Sequence, residues 1–164
     1  ASVSQEFFKK VQNKIHYAIH GHTAAELIVE RADAEKDFMG LLTFKGNQPT
    51  LSEARTAKNY LDEKELRAMG QLVSGYLDFA ERQAEREQPM TMNDWANYLD
   101  RILTMSGEQL LLDSGKVSHT EAMEHATNEY RKYKQRTISD VEQDYLDSIK
   151  RIGNIGKKGD KNEN

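Results

Sequence analysis

Between residues 63 and 87, Leu66, Met69, Leu72, Val73, Tyr76, Leu77, Phe79 and Ala80 recur every three or four residues. That spacing puts side chains on one face of an α-helix and leaves the opposite face polar. So long a stripe obliges the rest of the chain to supply apolar faces against it, and other segments have the same period. Phe7, Phe8, Val11, Ile15, Ala18 and Ile19 predict a helix over residues 5–20, with Ser4 ahead of it and Gly21 as its stop. Thr23 and Glu26 have the spacing of a capping box, which opens a short helix over 24–32. Ser52 and Glu53 open a further short segment reaching Tyr60, and Asp62 with Glu65 caps the long helix.

Beyond Pro89, Trp95, Tyr98, Leu99, Ile102 and Leu103 form the buried stripe of a helix over 93–104. Residues 107–113 extend or restart it. Ser118 with Glu121 opens the last stripe, carried by Met123, Ala126, Tyr130, Tyr133, Val141, Tyr145, Ile149 and Ile152. A break is expected at Ser139, where Glu142 completes another capping pair. Phe38, Leu41, Leu42 and Phe44 form a brief apolar run around Gly40 that suits one small β-hairpin over 38–44. The expectation is a mainly α single domain of about five to seven helices over residues 1–152. Residues 153–164 carry one isoleucine among glycine, lysine, asparagine and acids, too little apolar area to offset ordering entropy, so a disordered polar tail is expected there.

Composition removes several classes of function. No apolar run approaches the roughly 18 residues that cross a bilayer, and no signal-peptide pattern opens the chain. A cytoplasmic protein with no membrane partner is expected. Zero cysteines remove disulfides, thiolate metal ligands and cysteine nucleophiles together. A net charge of −4 argues against the whole chain clamping nucleic acid. The chain begins with Ala1 rather than methionine, so processing or a longer parent protein is expected.

The densest chemistry lies in residues 16–44. His16 and His20, four apart, share a helix face at a spacing zinc proteins use, and His22 follows the turn. No HExxH order accompanies them, and no metal or cofactor is assigned. Glu26, Glu30, Arg31 and Asp33 form a polar cluster in which the arginine fork suits phosphate or carboxylate, while Lys45, Lys58 and Asn59 extend an anion-site reading. The competing reading is a salt-bridged helix end, and it is the stronger one. No Walker, GxGxxG or GxSxG string is present, so no catalytic residue is assigned. Near the C-terminus, Arg131, Lys132, Lys134 and Arg136 interleave with Tyr130 and Tyr133, a pattern that can hold phosphates and stack bases. On a helix the tyrosines fall on the core stripe, which leaves the cations as an outward basic face.

The strings FFKKVQNKIHYAIHGHTAAELIVERADAEKDFMGLLTFKG, ARTAKNYLDEKEL, YLDFAERQAEREQPMTMNDWANYLDRIL and SGKVSH occur in this order. Together they resemble the C-terminal region of the virulence RhuM family of bacterial proteins, over roughly residues 5–150. The resemblance implies a protein associated with DNA and found near restriction-modification and mobile-element genes, with a further region ahead of this one. It brings no catalytic residues. Two functions follow. The favoured one is a non-enzymatic helical interaction or oligomerisation domain, forming a homodimer and touching DNA through the C-terminal basic helix or a preceding region. The alternative is a metal-assisted hydrolase or nuclease acting on nucleic acid or nucleotides, with its site in residues 16–58.

Overall fold

Residues 2–159 are described by the structure, a computed structural model. Six α-helices run α1 Ser2–His20, α2 Ala24–Arg31, α3 Leu51–Ala54, α4 Glu63–Glu85, α5 Met92–Met105 and α6 His119–Gly159. No strand occurs among the described residues, and none of the helices is long and apolar enough to cross a membrane. The mainly α expectation holds.

Capping boxes set most of the helix starts. Thr23 with Glu26, Asp62 with Glu65, and Ser118 with Glu121 close as their spacing predicts. Two others form as well, Thr50 with Glu53 at α3 and Thr91 with Asp94 at α5. The cap of α3 is therefore Thr50 rather than Ser52. Residues 107–113 neither extend nor restart α5.

The hairpin expected over 38–44 does not form. A 3-10 turn, Asp37–Gly40, takes its place, with Phe38 and Met39 in the left-handed region at φ 50° and 49° and Gly40 at φ 90°. Met39 is thereby driven into the core, completely buried, and Gly40 lies so close to the Arg31 carbonyl that a Cβ would sit 2.3 Å from its oxygen. The Leu42 and Thr43 amides both donate to the Asn59 carbonyl instead of to a partner strand.

Two apolar clusters result. Leu27, Ile28, Met39, Leu41, Tyr60, Leu61, Ala122, Ala126 and Tyr133 pack α2 and the 37–61 segment against the first half of α6. Ile15, Ala18, Leu99 and Leu103 join α1 to α5, with Leu72 and Tyr76 of α4 alongside. Met69 of α4 packs on both. Buried Lys14 ties α1 to α5 through a 2.6 Å bond to Asp100.

No break interrupts α6 at Ser139. The helix continues through the first part of the tail expected to be disordered, as far as Gly159, while the remainder, 160–164, lies outside the described residues. At 1.5 Å per residue α6 is about 60 Å long.

Candidate functional site

The last turn of α1 and the turn into α2 gather the histidines. His16 Nδ1 and His20 Nε2 lie 3.1 Å apart, and the His20 and His22 rings stack with centroids separated by 6.0 Å. His22 Nε2 meets Glu30 at 2.9 Å, and its other nitrogen is 3.9 Å from Glu26. Burial, then the neighbouring His16 and Arg31, push His20 down to about 4, and burial lowers His16 as well. His20 is thus neutral at neutral pH. Its Nδ1 is buried without a hydrogen-bond partner.

Arg31 leaves the end of α2 and grips Glu65 at the start of α4 with two parallel bonds, of 2.6 and 2.7 Å, while donating to the Tyr60 carbonyl at 2.9 Å. This pairing holds Glu65 near 2, far below the usual carboxylate range. Glu26 is equally committed, accepting from the Thr23 amide on one oxygen and from the Lys116 amide on the other. Asp33 folds onto the Glu35 amide in a tight turn.

The structure therefore brings His16, His22, Glu26, Glu30 and Arg31 into one neighbourhood, and it turns Asp33 to a local backbone role. Lys45 and Asn59 meet at Glu53, the first through its amide and the second through its side-chain amide. Lys58 is exposed. Among the described residues no three His, Cys, Asp or Glu side chains gather as metal ligands. The polar block binds the helix ends to each other. Glu65 and His20 belong to this network; the sequence paired His20 with His16 by spacing without assigning it a role, and Glu65 stood outside the cluster. The His16–His20 spacing was the one signal for His20, whereas Glu65 was visible only as a cap.

The basic helix divides in the same way. Arg136 donates to the Ala34 and Lys36 carbonyls and so holds the 3-10 turn. Lys132 pairs with Glu129, and Lys134 lies over the Tyr130 ring. Tyr133 is buried, in line with the core reading. Arg131 is exposed and lines an open groove of about 530 Å³ with Arg55, His119 and Glu124.

Beyond Thr137, α6 leaves the rest of the molecule. Ile138, Val141, Tyr145, Leu146, Ile149, Ile152 and Ile155 are between 49% and 73% exposed, and none of them belongs to either apolar cluster. Sequence periodicity read Val141, Tyr145, Ile149 and Ile152 as a continuation of the core stripe. Their spacing was legible, but their exposure among the described residues was not. These seven apolar side chains give the second half of α6 an exposed apolar surface.

A family model described as "Virulence protein RhuM family" matches residues 1–141, so the match takes in only the first two side chains of this exposed band, Ile138 and Val141. No curated protein and no solved structure matches the chain. From the bonded histidine block to the first half of α6, the chain belongs to the virulence protein RhuM family.

Proposed function

We propose that the chain is a non-enzymatic helical oligomerisation domain of a DNA-associated bacterial protein, and that the second half of α6 is its self-association surface. The observation that carries this is the exposed band from Ile138 to Ile155 on a helix standing clear of the core. Water contact on so many apolar side chains is unfavourable, and burying one half-exposed side chain gains about 1 to 1.5 kcal/mol. Two copies sharing the band gain enough to offset the about 4 to 15 kcal/mol that association costs in lost motion. A second copy is the occupant that suits the band's charges, because Asp140, Glu142, Asp144 and Asp147 at one end complement Lys150 and Arg151 at the other.

Arg131, Lys132 and Lys134 are exposed on the first half of α6 and supply the basic face that DNA would meet. The commitment of Glu26 to the Thr23 and Lys116 amides and of Arg31 to Glu65 supports this reading over the metal-assisted hydrolase. Sedimentation velocity over a concentration series tests the reading. A dimer that grows with concentration is expected, and Val141→Asp with Ile152→Asp is expected to give a monomer whose far-UV dichroism retains the core helices. A native chain that sediments as a monomer at every concentration overturns it.

A further inference from the structure

We propose that two copies pair through α6 in antiparallel register, about a two-fold axis between Leu146 and Asp147, with Asp144 of each copy facing Arg151 of the other. This rests on the self-association reading above and adds its direction and register. Ile138, Val141, Tyr145, Ser148, Ile152 and Ile155 follow one another at intervals of three and four, the a and d positions of three heptads. Pairing in opposite directions sets a against d. A single axis then places Ile138 opposite Ile155, Val141 opposite Ile152, and Tyr145 opposite Ser148, so every large residue at the centre meets a small one and the outer layers are wholly apolar. Parallel pairing sets Tyr145 on Tyr145 and leaves Ser148 on Ser148.

The charges select the same direction. Asp140, Glu142, Asp144 and Asp147 occupy the first part of the band, and Lys150 and Arg151 the second. Parallel copies align like charges, whereas antiparallel copies lay the acidic half of one along the basic half of the other. Asp144 and Arg151 occupy g positions, which flank the seam and set partner orientation. Both are exposed, and neither is in an ion pair within the chain among the described residues. The arrangement also puts the two globular parts at opposite ends of the shared helices.

The chain has no cysteine, so introduced thiols report without background. Val141→Cys and Ile152→Cys chains carrying different tags are treated with a short bismaleimide, separately and mixed. A cross-link between the two chains, formed only in the mixture, is expected, because in this register two copies of position 141 lie about 16 Å apart along the axis. Cross-linking within each variant alone shows parallel pairing and overturns the proposal. Sedimentation of the same samples separates the two levels, since a monomer overturns self-association itself while a dimer with the wrong cross-links overturns only the direction. As a second arm, Asp144→Arg is expected to weaken the dimer about tenfold, and Asp144→Arg with Arg151→Asp to restore it. A double variant no tighter than the single one overturns the register.

Discussion

Two ionisable side chains give the molecule distinct responses to acid. His20 is held down at about 4 against an ordinary 6.5, so the unfolded chain takes up its proton first. A depressed folded value means that the contribution is complete above about 6.5 and is lost as the pH falls from there toward 4. Glu65, lowered from 4.5 to about 2 by Arg31, follows the same sign in a lower window: its contribution is present above about 4.5 and is lost between there and 2. Urea titrations at a series of pH values are expected to show both losses. His20→Asn should reduce the upper one, to which His16 also contributes, and Glu65→Gln the lower one, at a cost of about 1.5 to 3 kcal/mol at neutral pH from the broken charged bonds. Gly115 is a third single-residue dependence. It sits at φ 87° with its Cα against Thr23, where a Cβ would lie 2.6 Å from the threonine methyl. Gly115→Ala is expected to lower stability by about 1 to 3 kcal/mol in the same assay, since both the backbone and the capping box must shift.

At the scale of elements, α6 is specified locally at its start and by tertiary contact only over its first half. Ser118→Ala removes the hydroxyl that accepts the Glu121 amide and should cost about 1 kcal/mol in thermal or urea unfolding. The capping boxes at Thr23, Asp62 and Ser118 were legible because they are chemistry within four residues, whereas those at Thr50 and Thr91 were not read and the pair expected at Ser139 starts no helix. The same holds for the α4 stripe, which needs no knowledge of its neighbour to be seen as amphipathic. What was not legible depends on partners far apart in sequence. Arg31 finds Glu65, Lys14 finds Asp100, and Arg136 reaches back to Ala34, none of which leaves a periodic trace. The 38–44 run failed as a hairpin for a related reason, since Met39 is fixed by core packing and by the close approach of Gly40 to Arg31. The candidate site was legible as a polar cluster on residues 16–33, but its internal bonding emerged only with α4 in place.

For the whole molecule, the two apolar clusters meet at Met69, and Lys14 with Asp100 closes the α1 and α5 side. Neither cluster includes any residue after Tyr133. Folding of the globular part is therefore expected not to need the exposed half of α6, whereas the proposed association would depend on it. A linked equilibrium distinguishes these roles, because binding to the folded state alone raises the apparent melting temperature with the concentration of partner. The native chain is expected to melt at a higher temperature as its concentration rises. A chain ending after Thr137 keeps both clusters and is expected to melt cooperatively at a temperature that does not change with concentration. Scanning calorimetry of both chains over a wide concentration range measures the difference. Loss of cooperative melting in the shortened chain would show that the outer helix is part of the fold itself, and concentration-dependent melting that persists in it would move the association surface elsewhere on the molecule.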